Sequence, residues 1–243
     1  MLSTLSTLPE GYRALVVGAQ GGIGAALMAR LQADPRCGGV WGTARQPDAA
    51  SQLLPMDLCH EPSIEAAMQA LRVHGPFHVL INAAGVLSLN GVPPEKRLAD
   101  LNAEHMAQVL AINALGPAVW LKHAVALLPR QGRCVVATLS ARVGSIGDNR
   151  KGGWYAYRAS KAALNMLWRT AAIEVARQRP EAVLLALHPG TVFSPLSKPF
   201  VPDGPEQPGL MHPENAAARL LAVIDTATES GSFKAWDGST IEW

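Results

Sequence analysis

Cysteine is scarce: in 243 residues only Cys37, Cys59 and Cys134 occur, and no two form a Cys-x-x-Cys pair. A disulfide framework or a zinc knuckle needs closely spaced sulfur, so neither is expected, and reduced thiols that fill space are. Aromatic residues make up only 5% of the chain, while alanine and leucine abound. Sheets packed on sheets want more β-branched and aromatic residues, which makes an all-β sandwich a poor candidate. A dominant charge is missing too. The formal net charge is +2 with no block of Lys or Arg, so neither a nucleic-acid footprint nor a basic membrane-binding helix is suggested, and small-molecule or protein partners remain. There is no uninterrupted apolar run of about eighteen residues, the length that reads as a membrane span. Residues 1–9 lack the basic start and apolar stretch of a signal peptide. These absences place the protein in the cytoplasm as an expectation, with no membrane partner.

Hydrophobic residues make up 49% of the chain, enough for one sizeable core and too short a chain for two ordinary enzyme domains. A single domain over residues 1–243 is expected. Short apolar runs alternate with longer segments of helical period, the signature of βαβ units. The runs at 13–17, 39–42, 77–82, 133–138 and 183–187 read as strands of a parallel sheet covered on both faces. Segments 23–32, 63–72, 103–128, 155–177 and 213–228 read as the covering helices. The expected fold class is α/β: one Rossmann-type doubly wound domain, its central parallel sheet flanked by helices. Residues 145–153 and 194–212 are rich in glycine, proline and charge and read as loops, the second with the length and composition of a lid.

Where the first strand should give way to the first helix stands Val17-Gly18-Ala19-Gln20-Gly21-Gly22-Ile23-Gly24. A dinucleotide pyrophosphate wants bare N–H groups at a helix N-terminus, and glycines let phosphates approach the main chain. Gly18, Gly22 and Gly24 supply that approach, though their spacing differs from the G-x-G-x-x-G fingerprint of most Rossmann domains. After the second strand, folds that choose NAD place an acidic residue; here the run Trp41-Gly42-Thr43-Ala44-Arg45 ends in a cation. An arginine pairs with a ribose 2′-phosphate that a carboxylate would repel, so NADP is the expected cofactor and NAD the less favoured one.

Tyr157 and Lys161 stand four residues apart at the start of a strongly helical segment, so they share one face, one turn apart. A tyrosine hydroxyl titrates near ~10 in water, and acid/base work near neutrality calls for a neighbouring cation, which Lys161 can provide. Tyr155, six residues before the lysine, faces away and reads as a packing residue.

From Tyr12 to Trp243 the chain resembles the short-chain dehydrogenase/reductase family. The motifs that carry the resemblance occur in order: the glycine turn, Asp57-Leu58, Asn82-Ala83-Ala84-Gly85, Asn113, Ser140, Tyr157-Arg158-Ala159-Ser160-Lys161 and Pro189-Gly190-Thr191-Val192. The stretch from Leu139 to Asn149, His188-Pro189-Gly190-Thr191 and Trp236-Asp237-Gly238 look like its C-factor branch, named for cell-contact signalling.

The resemblance implies an oxidoreductase that moves hydride between NADP(H) and a small carbonyl or alcohol. Tyr157 would donate or remove the proton. Lys161 would lower the tyrosine pKa and hold the nicotinamide ribose. Ser140 would bond the substrate oxygen and Asn113 would anchor a relay water. Cofactor contacts would come from Gly18, Gln20, Gly22, Ile23, Gly24 and Arg45, from Asp57 and Leu58 at the adenine edge, from Asn82, Ala83, Ala84 and Gly85 along the central strand, from Tyr157 and Lys161, and from Pro189, Gly190 and Val192 at the nicotinamide. One departure stands out. Relatives carry a Ser-Ser pair whose second serine touches substrate, and counting back from Gly144 that position is Ala141, so Ser140 serves only if the register shifts, with Ser145 as the fallback.

Val192, Phe193, Leu196, Phe200 and Val201 follow the nicotinamide motif and point to an apolar substrate pocket. No histidine spacing suits a metal; His188 reads as a buried, hydrogen-bonded structural residue, and His60 and His74 as surface ones. The alternative function is an NADP-binding sensor or cell-contact signalling protein with little turnover. A nucleotide-sugar epimerase would want a larger C-terminal domain than the roughly 50 residues after the Pro-Gly motif. Segments 103–128 and 155–177 are more apolar than one-sided helices need, and with the family habit this predicts a homodimer or homotetramer. Trp168 and Trp243 belong either to that face or to internal packing.

Overall fold

A computed structural model describes residues 5–200 and 208–243. Its strands are β1 (Tyr12–Val17), β2 (Cys37–Ala44), β3 (Leu54–Pro55), β4 (Val79–Asn82), β5 (Cys134–Leu139), β6 (Ala182–His188) and β7 (Ser232–Ala235). They pair in parallel in the order β3-β2-β1-β4-β5-β6-β7. The helices are α1 (Gly22–Gln32), α2 (Glu61–Leu71), α3 (Ala103–Leu110), α4 (Gly116–Ala124), α5 (Tyr155–Val175) and α6 (Pro213–Thr226).

Successive side chains of a strand point to opposite faces, and the central strands feed a core on each side. Leu15, Leu80 and Val136 pack with Ile64 of α2, Trp120 of α4 and Trp168 of α5. Their neighbours Val16, Ile81 and Val135 pack with Leu27 of α1 and Leu220 of α6. Burial on both faces is why these strands read as unbroken apolar runs. Trp120 and Trp168 are fully buried and stacked, ring centroids 6.4 Å apart. Trp168 is therefore internal packing. A ring of this size removes on the order of 200 Å² from water, worth roughly 5 kcal/mol before entropy is counted.

The segment 103–128 is not one helix. Between α3 and α4 lies a π-helical turn, Ala111–Leu115, and a 3₁₀ turn, Val125–Leu127, closes the segment. Pro117 has no N–H to give the carbonyl of Asn113 four residues back, and the N–H of Gly116 instead reaches five residues back to Ala111. Length and apolarity alone would let Ala103–Leu127 cross a membrane, yet its Trp120, Leu121 and Ala124 lie in the core beneath the sheet.

The chain leaves β1 toward β2 on one side and returns to β4 on the other. This reversal opens a crevice at the carboxyl ends of β1 and β4, the place where doubly wound sheets bind ligands.

Candidate active site

The glycine turn fills one side of that crevice. Gly18 has φ +77, and a Cβ there would stand 2.9 Å from the Ala84 nitrogen. A side chain at Gly24 would run into the Gly18 carbonyl, and one at Gly22 would come within 3.2 Å of Ser194. The N–H groups of Gly18 and Ala19 both donate to the Thr43 carbonyl at 3.0 Å, which ties the turn to the end of β2. Helix α1 opens with no side-chain cap and no acidic residue in its first turn. Its first N–H groups are thus left for an anion, and nothing negative opposes one. These residues fit the pyrophosphate of a dinucleotide.

Arg45 is exposed just past β2. Burial and the Asp57 charge push the Cys59 thiol up and the Arg45 guanidinium pulls it back, so Arg45, Asp57 and Cys59 lie near enough to interact. Asp57 caps its own turn by accepting from the Cys59 N–H at 2.8 Å, and Leu58 is buried behind it. Gln20 is exposed on the rim. On the other side, Asn82 donates to the Thr138 hydroxyl at 3.0 Å and accepts from the Ala84 N–H at 3.2 Å, which locks β4 to β5.

Ile23, Ala83, Ala84, Gly85, Ser140, Tyr157, Lys161, Pro189, Gly190 and Val192 line one cavity of about 320 Å³. Tyr157 and Lys161 sit one turn apart on α5, both buried, with the Lys161 Nζ 5.8 Å from the Tyr157 ring centre. Lys161 donates to the Leu139 carbonyl at 2.9 Å. Burial pushes the phenol up to about 12 and the ammonium down to about 8. Such a phenol keeps its proton at neutral pH.

Asn113 lies behind Gly85, where an added Cβ would meet its Oδ1 at 3.2 Å and the Lys161 Nζ at 3.3 Å. Its amide accepts from the Val86 N–H and donates to the Val86 carbonyl, each at 2.8 Å, and donates to Ser160 at 3.1 Å. The π turn places the residue so. Ser140 lines the cavity, but its hydroxyl donates to Oδ1 of Asn165 at 2.6 Å. Ala141 lines the cavity beside it without a hydroxyl. Ser145 accepts from the Asp148 N–H at 3.1 Å within its own turn and is not part of the cavity lining.

A family model for short chain dehydrogenase matches residues 12–203. The chain belongs to the short-chain dehydrogenase family. Within it, the chain has the C-factor-like character read from the sequence: it is 39% identical over 175 residues to C-signal of Myxococcus xanthus, covering 70% of this chain and 94% of that one. The 1-hydroxy-2-glutathionyl-2-methyl-3-butene dehydrogenase of Rhodococcus sp. (strain AD45) is 33% identical over 191 residues, 77% of this chain and 78% of its own. Among solved structures, the NADPH-bound carbonyl reductase from chicken fatty liver matches with TM-score 0.80 at 24% identity, over 97% of this chain and 100% of that one. A carbonyl reductase from Pseudomonas aeruginosa PAO1 matches with TM-score 0.75 at 27% identity, over 96% and 100%.

This short-chain dehydrogenase has features its motifs did not point to. Asn165 follows Lys161 by one further turn of α5, so the spacing that found Tyr157 and Lys161 would have found it too. Trp154 lines the cavity from just before α5, and Glu95 lies buried behind it. In the loop after β6, Val192, Leu196 and Phe200 line the cavity, Phe193 does not, and Val201 lies outside the described residues. Tyr155 is absent from the lining, as its helical phase requires. His188 corrects an expectation: its Nδ1 is buried without a hydrogen-bond partner, and burial pushes its pKa down to about 4. Among the described residues no three His, Cys, Asp or Glu side chains converge as a metal site would need.

Proposed function

We propose that this short-chain dehydrogenase is an NADP(H)-dependent oxidoreductase of the carbonyl reductase type, acting on a small, largely apolar ketone, aldehyde or alcohol. The reading rests above all on Tyr157 and Lys161, two buried titratable groups in the wall of one cavity that also holds residues 189–192. Bound NADP(H) supplies or takes up the hydride. In reduction, the Tyr157 phenol gives its proton to the carbonyl oxygen as the C–H bond forms, and the Lys161 ammonium offsets the phenolate charge left behind. Asn113 holds the loop at Val86 and Gly85 against Lys161 and anchors the water that returns the proton. Ser140 bonds the substrate oxygen once its hydroxyl leaves Asn165.

Gly18, Gln20, Gly22, Ile23 and Gly24 cradle the pyrophosphate. Arg45 takes the 2′-phosphate, and Asp57 and Leu58 flank the adenine. Residues 82–85, together with Pro189, Gly190 and Val192, border the nicotinamide end. The three free cysteines suit a reducing compartment, and a cytoplasmic protein belongs to the same reading. Tyr157→Phe is expected to remove nearly all NADPH-dependent carbonyl reduction while NADP binding, measured by calorimetry, stays within about twofold, because general acid catalysis supplies about 10²–10⁴-fold. Full turnover by that variant would end the assignment.

A second reading, an NADP-binding sensor or signalling protein with little turnover, draws support from Ala141, from the Ser140 hydroxyl held by Asn165, and from the likeness to C-signal. NADP binding with no NADPH consumption across a carbonyl panel would favour it.

A further inference from the structure

Three consecutive residues, Gly152, Gly153 and Trp154, adopt left-handed backbone, with φ of 64, 65 and 54. Glycine does so freely, but a tryptophan there is strained and must be held by its surroundings. Glu95 holds it. The Glu95 carbonyl accepts from the Trp154 N–H, and its carboxylate Oε2 accepts from the Ala156 N–H at 3.1 Å, in the first turn of α5 and one residue before Tyr157. Glu95 is only 5% exposed, and its other carboxylate oxygen is buried without a partner. A half-paired buried carboxylate is costly, and the first-turn N–H groups of a long helix are what offsets it.

Strained backbone and a buried carboxyl group serve one placement. The Trp154 indole stands edge-on to the Tyr157 ring, centroids 6.2 Å apart at 72°, and 5.7 Å from the Phe200 ring at 56°. These rings form an aromatic part of the cavity wall at the proposed proton donor, and Leu87 and Val143 add apolar lining to the same cavity. Aromatic faces and edges reward a flat π partner beyond the area it buries.

We infer that Trp154 is the specificity-determining residue of this site, favouring carbonyls whose reacting carbon bears a flat, unsaturated apolar group, as in an aryl ketone or its alcohol. Glu95 is the positioning residue that holds the indole in place. This rests on the carbonyl reductase reading, and its test is built to fail separately.

Acetophenone and cyclohexyl methyl ketone share a carbon framework, one with a flat ring and one without. Their dissociation constants from NADP⁺-loaded protein are measured by ligand-observed NMR, and their kcat/KM values by NADPH oxidation. Wild type is expected to bind acetophenone about fivefold more tightly. Trp154→Leu brings the two ketones within about twofold, Trp154→Phe keeps most of the preference, Glu95→Gln retains it through the remaining acceptor, and Glu95→Ala loses it. Equal binding of the two ketones by wild type, which needs no variant to fold, overturns the inference, as does a preference that survives in Trp154→Leu. If neither ketone is turned over, the reductase reading fails while the binding ratio still decides the role of Trp154.

Discussion

Arg45 carries the proposed preference between the two nicotinamide dinucleotides, since it is exposed just past β2 and near Asp57 and Cys59. Losing one or two charge-assisted hydrogen bonds and gaining a repelling carboxylate makes Arg45→Asp expected to weaken NADP binding about 10- to 100-fold and to spare NAD. Calorimetric titration with both dinucleotides checks this; a wild type that binds NAD as tightly as NADP would remove Arg45 from the account. His188 makes a prediction of a different kind. Burial, with help from Arg142 and against Asp237, takes it from 6.5 down to about 4. Between those values the unfolded chain binds a proton that the folded chain refuses. The stability from this residue is therefore complete above about 6.5 and drains away as pH falls toward 4, by on the order of 2 kcal/mol. Urea midpoints at pH 7 and pH 4.5 should separate in wild type and draw together in His188→Asn; an unchanged gap would assign the acid lability elsewhere.

Among elements, β1, β4, β5 and β6 were legible because strands buried on both faces leave continuous apolar runs, whereas the half-buried β2 showed only its middle, 39–42 of 37–44. The two at the sheet edges were not. β3 is two residues long and ends in Pro55, and β7 contains Lys234, so neither has a run to read. The helix over 103–128 looked unbroken because hydrophobic period does not register one missing N–H; ahead of Pro117 the segment takes a π turn, and that turn carries the buried Asn113. At the cavity, the shared face of Tyr157 and Lys161 was legible from helical spacing, and their proposed roles came from the family motifs around them. Glu95 was not, since a glutamate in a loop reads as solvated until the fold lays it under the first turn of α5. Nor was the Ser140 hydroxyl's bond to Asn165, which depends on how β5 and α5 pack and not on either segment by itself.

The whole molecule bears large apolar groups on its outer surface. Met166 and Ile173, two turns apart on one face of α5, are 67% and 55% exposed, and Leu115 of the π turn is 57% exposed. A shallow groove nearby is lined by Leu121, Val125, Ala171 and Val175. The proposed assembly is a homodimer or homotetramer through these faces. Sedimentation at micromolar concentration is expected to show it, with Met166→Glu/Ile173→Glu giving single subunits; a wild type already monomeric there refutes it.

Helix α5 answers to several neighbours at once: Glu95 grips its first turn, Tyr157 and Lys161 face the cavity, Trp168 is wedged into the core, and Met166 and Ile173 look outward. A rigid rod cannot tilt at one station and stay still at the others. A shift of its outer flank would therefore carry to the phenol, so in the proposed assembly a neighbouring subunit seated on Met166 and Ile173 would also help fix where Tyr157 stands.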